Sequence, residues 1–194
     1  MKKFLTKITS ICVTAILILS FAACSSTKST SSTSSDTTKK VTLSDFKSED
    51  GKLQISAPNS WKSLAELKNV NSRISIGIGD KSKESYTSVI SESKENVTKE
   101  FTLDKYYSMV TEQLKTQVAK SEITDVKDIT VNGNKGKSFQ LKGEVNNIKV
   151  TYLYGLIDSP NYYSHVLTWS LSSSFDKNKA TFADIINSFK ETSK

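Results

Sequence analysis

The sequence predicts an α+β domain, a largely antiparallel sheet packed with two main amphipathic helices. Three observations carry that reading. Short stretches with apolar residues at alternate positions recur between turn signals such as Asn132-Gly133, the period expected of strands with one buried face. Two other stretches, Leu103 to Val118 and Phe182 to Phe189, carry apolar residues at helical spacing. The order is strands, helix, four strands, helix, so hairpin-linked strands form a meander whose apolar faces the two helices must cover.

The first predicted strand runs from about Val41 to Phe46 and turns at Asp50-Gly51, a dipeptide suited to a tight hairpin. Lys52 to Ala57 alternates apolar and polar residues and stops at Pro58. Trp61 follows, and Leu64, Ala65 and Leu67 suggest a short helical turn. Ile74, Ile76 and Ile78 alternate through Asp80, and Tyr86 to Ser91 reads as another strand. Thr102 is placed to cap a helix whose stripe is Leu103, Tyr107, Val110, Leu114 and Val118, at steps that keep one face apolar. Strands then follow over Ile123 to Val131, Lys137 to Val145, Ile148 to Ile157 and Tyr162 to Ser172, with Asn146-Asn147 and Ser159-Pro160-Asn161 as turns. Phe182, Ile185, Ile186 and Phe189 mark the closing helix.

This succession resembles the PsbP-like domains. Gly51 to Trp61 (GKLQISAPNSW) is similar to their opening, where a strand runs into a Pro-x-x-Trp turn. Val131 to Gly136, Val150 to Tyr154, Tyr162 to Trp169 and the closing Phe182 to Phe189 segment match the rest of the layout. The resemblance spans residues 43 to 191 and implies an α/β/α sandwich. It also implies a binding or assembly module of the kind found in lipoproteins of Gram-positive bacteria, not a catalyst. No metal-binding residue carries over from the photosynthetic member of that family.

The first 40 residues have a different character. A basic start with Lys2, Lys3 and Lys7 precedes an apolar run from Ile8 to Ser20 and the sequence Phe21-Ala22-Ala23-Cys24. These are the three parts of a secretory signal, and the run is short beside the ~20 residues a spanning helix needs. Phe-Ala-Ala-Cys resembles the lipobox of bacterial lipoproteins, with Phe21 where leucine is commonest. The resemblance implies cleavage between Ala23 and Cys24 and lipidation of Cys24. The chain therefore divides into a signal (1–23), a lipidated cysteine with its tether (24–40) and a PsbP-like domain (41–194). Twelve of the 16 residues from Ser25 to Lys40 are Ser or Thr and none is apolar, the composition of a flexible linker with a mean reach of about 20–25 Å. The expected location is the extracytoplasmic face of a cell membrane, reached through the lipid.

Removing the signal takes the formal charge from +7 to +4, because Lys2, Lys3 and Lys7 leave with no acidic residue. It also removes Cys12, so Cys24 is the one cysteine left and no disulfide can form within the processed chain. Arg73 is the sole arginine. Specific nucleic-acid readers rely on arginine's forked donors, so nucleic acid is not an expected partner. An envelope protein or polymer is.

No catalytic or metal-ligating set emerges, and no cofactor is expected. His165 is the one histidine and shares a strand face with Tyr163, Leu167 and Trp169, which suggests a half-buried, hydrogen-bonded structural histidine. Zinc and thiol sites need clustered histidines or cysteines. Gly77-Ile78-Gly79-Asp80 lacks the remaining parts of a phosphate loop. Glu92, Glu95, Glu100 and Asp104 suit a solvated helix start, and Asp125 and Asp128 lack calcium-loop spacing. The aromatic residues Tyr152, Tyr154, Tyr162, Tyr163 and Trp169 either pack the core or, if they project from an open edge, form a contact patch. Two functions stay open at this point: a non-enzymatic binding or assembly module, and an auxiliary envelope hydrolase with a cryptic Ser/His site at His165.

Overall fold

The structure is a computed structural model and describes residues 42–192. Its elements are β1 (Leu43–Lys47), β2 (Leu53–Pro58), β3 (Lys62–Ser63), α1 (Ala65–Val70), β4 (Ile74–Asp80), β5 (Ser85–Ser93), α2 (Leu103–Gln117), β6 (Ala119–Val131), β7 (Asn134–Val145), β8 (Ile148–Asp158), β9 (Tyr162–Leu171), α3 (Phe175–Asn187) and β10 (Lys190–Glu191). Seven strands form one antiparallel sheet in the order β3-β4-β5-β9-β8-β7-β6, and β1-β2-β10 form a second, three-stranded sheet. The predicted α+β class and its antiparallel meander are what the chain adopts.

The meander follows from its turns. Asn132 and Gly133 have φ of 48° and 82°, and Asn146 and Asn147 have φ of 51° and 65°. Two successive positive-φ residues give the turn whose twist matches that of the flanking strands. Asparagine and glycine are the residues that adopt this conformation at least steric cost. The register Val131↔Asn134 and Val145↔Ile148 closes both hairpins tightly.

Strand alternation divides the core in two. Tyr152, Tyr154 and Leu156 of β8 point to one face with Phe139 and Leu141 of β7 and Leu167 and Trp169 of β9, where Tyr106, Val110 and Leu114 of α2 cover them. Leu153 and Ile157 of β8 and Val166 of β9 point to the other face, beneath Phe182, Ile185 and Ile186 of α3 and Leu53 and Ile55 of β2. Each fully buried side chain of this size contributes roughly 1.5–3 kcal/mol through removal of apolar surface from water. The Pro58-x-x-Trp61 turn closes with a Trp61 N–H bond to the Pro58 carbonyl. It delivers the indole edge-on to Phe182, with centroids 6.4 Å apart, and so ties the small sheet to α3.

Two expectations need correcting in detail. Ile74, Ile76 and Ile78 do not share a face. A register shift between Ile74 and Ile76 sends Ile74 to the α2 side and Ile76 and Ile78 to the α3 side, since a bulge adds one residue to a two-residue repeat. In α2 the deepest aromatic is Tyr106, not Tyr107. Tyr106, Val110 and Leu114 form an i, i+4 row at the centre of the stripe, with Leu103 and Tyr107 on its flanks. Thr102 does cap this helix, accepting a bond from the Lys105 N–H at 3.3 Å.

Candidate functional site

Ala23 and Cys24, the expected cleavage and lipidation positions, lie outside the described residues. The aromatic set lies within them and is not a contact patch. Tyr152, Tyr154, Tyr163 and Trp169 are all buried, and Tyr162 is partly buried against the α3-side core. The reason is topological. β8 and β9 are interior strands of the seven-stranded sheet, so their edges are paired, and the stretches that carry these rings are covered by α2 on one face and by α3 and β2 on the other. Tyr154 stacks on Phe139 at 4.7 Å, Trp169 on Tyr86 at 5.5 Å, and the Tyr163 hydroxyl donates to the Phe101 carbonyl at 2.8 Å.

His165 is buried more deeply than expected, at 1% exposure, and neither ring nitrogen has a hydrogen-bond partner. Burial, with a smaller contribution from the Arg73 charge, pushes its imidazole down to about 4. No serine is bonded to it. The adjacent Ser164 lies on the opposite face and pairs with Ser91 at 2.6 Å. A serine–histidine nucleophile needs that hydrogen bond and access to substrate, and His165 lacks both.

The other sequence candidates are structural. Gly77 and Gly79 belong to β4. A Cβ on Gly79 would come within 2.7–2.8 Å of Tyr86, Leu64 and the Ser85 carbonyl, so close packing accounts for it. Glu92 pairs with Arg73, Asp104 and Asp128 both pair with Lys137, and Asp125 pairs with Lys179. Among the described residues no three His, Cys, Asp or Glu side chains converge as a metal site would require.

What the molecule does present is a polar groove of about 730 Å³ between α3 and the outer strands β6, β7 and β8. Strand length creates it. β6, β7 and β8 run for 13, 12 and 11 residues, and α3 covers only the portion of their face that carries Leu153 and Ile157. Beyond it the same-face positions are Gln140, Lys142 and Glu144 on β7 and Lys149 and Thr151 on β8. β6 is bulged at two places, between Ala119 and Glu122 and between Thr124 and Lys127. Lys120 and Asp125 there adopt φ of 52° and 55°, and both line the groove. Asp125 accepts from the Gln140 amide and lies 3.5 Å from Lys179 of α3. A second recess of about 350 Å³ shares Asp125, Gln140 and Lys179 and continues toward Ile129, Leu153 and Ile186, where the lining is more apolar.

Four lysines line the groove, Lys120, Lys142, Lys149 and Lys179, against three carboxylates, Asp125, Glu144 and Asp176. Lys120 pairs with Glu144 at 2.7 Å and Lys179 with Asp125. Lys142 and Lys149 are exposed and make no ion pair among the described residues. Chemically the groove offers ammonium groups, carboxylates, an amide and hydroxyls, with no thiol or imidazole. Sequence reasoning passed over it, although one signal was present: Ser138, Gln140, Lys142 and Glu144 occupy the same alternate positions of β7, opposite to Phe139 and Leu141.

No family model matches the sequence, and no curated protein matches it. Solved structures do. The solution structure of cyanobacterial PsbP (CyanoP) from Synechocystis sp. PCC 6803 aligns with a TM-score of 0.59 at 13% identity, over 82% of this chain and 98% of that one. LpqN of Mycobacterium tuberculosis, described as involved in cell envelope biogenesis, aligns with a TM-score of 0.57 at 14% identity, over 78% of this chain and 91% of that one. At such identities the likeness is one of fold, and the fold of this chain is PsbP-like.

Proposed function

We propose that the protein is a lipid-anchored, extracytoplasmic module that binds an envelope component without catalysis, and that the polar groove beside α3 is its contact surface. The observation that carries this reading is a contrast within the domain. The one imidazole is sealed in the core with no serine attached, while the groove exposes binding groups but no nucleophile–base pair. The hydrolase alternative needs His165 accessible, and its burial weighs against that alternative. Cys24, by its lipobox-like setting, would carry the anchor, and the Ser/Thr-rich tether would hold the domain clear of the headgroups on the outer face of a Gram-positive membrane. The fold shared with LpqN, itself described as an envelope-biogenesis protein, is compatible with that location.

Fractionation of the producing cells tests the anchor. The wild-type protein is expected in the membrane, and Cys24→Ser either in the medium or as uncut precursor; a Cys24→Ser protein that is processed and still membrane-bound would overturn the anchor. Crosslinking on intact cells tests the module. Wild type should capture an envelope component, the Lys142→Glu/Lys149→Glu variant should lose it, and His165→Leu should keep it. Loss with His165→Leu in a folded protein would revive the hydrolase reading.

A further inference from the structure

We infer that the groove between α3 and β6–β8 receives a linear polyanion, a polymer that carries phosphate or carboxylate groups along its length. This rests on the binding-module reading and adds the chemistry of the ligand. Three features argue for it. First, Lys142 and Lys149 project on the same sheet face from neighbouring strands: Lys142 is opposite Thr151 and Lys149 opposite Glu144, which makes the two lysines diagonal neighbours, within reach of one another's fields. Glu144, the carboxylate between them, is already engaged by Lys120 at 2.7 Å. The pair is therefore a local excess of positive charge that the protein itself does not neutralise.

Second, the remaining carboxylates do not reverse this balance. Asp125 accepts from Gln140 and pairs with Lys179. Asp176 lies in the first turn of α3, where the helix's own amide dipole stabilises a negative charge. That helix end is thus already matched and is not counted as an anion receptor. Third, the shape suits a chain passing through. The groove is open, and its lining residues are polar or charged apart from Gly143 and Phe175, whereas pockets for small organic ligands are enclosed and lined mainly by apolar side chains. Its cations are all lysines, compact point charges that attract an anion without the paired geometry arginine imposes. Such a surface recognises repeated charge and not a particular sequence of units.

The test uses the lipidated protein in detergent micelles, with long-chain inorganic polyphosphate as the probe. Wild type should bind it, with affinity that falls as salt is raised. Lys142→Glu/Lys149→Glu should weaken binding by about tenfold or more, since each unscreened contact contributes a factor of a few. The control is Lys62→Glu/Lys99→Glu, which makes the same change in net charge. Lys62 is on β3, at the opposite edge of the seven-stranded sheet, and Lys99 is in the loop before α2; this variant should bind as wild type does. Absence of wild-type binding, or equal loss in both double variants, would overturn the assignment. If wild type still captured an envelope component through Lys142 and Lys149 without binding polyphosphate, the polyanion would be wrong and the binding module would stand.

Discussion

The Tyr106 ring of α2 lies over the His165 imidazole of β9, with centroids 6.5 Å apart and planes inclined by 25°. Both side chains are buried, and neither the Tyr106 hydroxyl nor either His165 nitrogen has a hydrogen-bond partner. Burial raises the Tyr106 hydroxyl well above its ordinary range and lowers the imidazole to about 4. The contact between α2 and the sheet is therefore built around groups that stay neutral.

This makes the fold acid-sensitive in a defined window. Above pH 6.5 His165 is neutral whether the chain is folded or not, and its titration adds nothing to the pH dependence of stability there. As pH falls from 6.5 toward 4 the unfolded chain takes up a proton that the folded chain refuses, so stability drops, and the loss levels off below 4 at about 3 kcal/mol. His165→Leu should remove this part of the pH dependence. It should also be neutral or stabilising at pH 7, because it replaces two unsatisfied polar atoms by apolar ones of similar volume. Urea denaturation at pH 7 and pH 4.5 would measure both effects; an unchanged acid loss in His165→Leu would contradict the account.

A second prediction concerns Gly155, in the middle of β8. A Cβ there would lie 2.3 Å from Cγ2 of Ile186 on α3, and Ile186 is itself buried. Gly155→Ala should cost about 1–3 kcal/mol, the usual penalty for overpacking a filled core. Ile186→Ala removes the clashing methyl but leaves a cavity. The double variant should be more stable than the sum of the two single losses predicts, by about 1 kcal/mol, since contacting residues couple. Additive losses in thermal unfolding would show that the steric contact is not the cause.

These two sites also mark how much was legible in the sequence. The alternation along β8 and β9 was plain, and with it the strands themselves; so were the Asn132-Gly133 and Asn146-Asn147 turns, because the residue types that tolerate positive φ are few. What alternation does not encode is which faces are covered. Tyr152, Tyr154 and Trp169 read equally well as core or as surface until α2 is known to pack over their face of β8 and β9. The separation of β1, β2 and β10 into their own sheet was invisible for the same reason: a two-residue strand such as β10 has no periodicity to detect. The groove was hidden more deeply. Its lysines are ordinary by composition, and their convergence depends on bulges in β6 and on where α3 stops covering the sheet.

The last prediction joins a turn to a helix end. Asn132 opens the β6–β7 hairpin with φ of 48°, and its Nδ2 donates to the carbonyls of Phe189 at 2.7 Å and Asn187 at 3.3 Å. Those carbonyls lie at and just beyond the end of α3, where the backbone has no partners within the helix. Three substitutions separate the two roles. Asn132→Gly keeps the backbone conformation and loses the bonds, a cost of about 1 kcal/mol. Asn132→Ala loses the bonds and also strains the backbone, for about 2 kcal/mol in all. Asn132→Asp tolerates the backbone, but its carboxylate faces two carbonyl oxygens and has no proton to donate. Its folded-state pKa should therefore be raised, so the variant loses stability relative to wild type as pH rises from about 4, the ordinary aspartate value, is least stable above the raised pKa, and recovers as pH falls and the protonated carboxyl becomes a donor. Denaturation curves at pH 7 should rank wild type above Asn132→Gly and Asn132→Gly above Asn132→Ala. Equal stability for Asn132→Gly and wild type would mean that the two bonds to the end of α3 contribute nothing, and that the position matters for its turn alone.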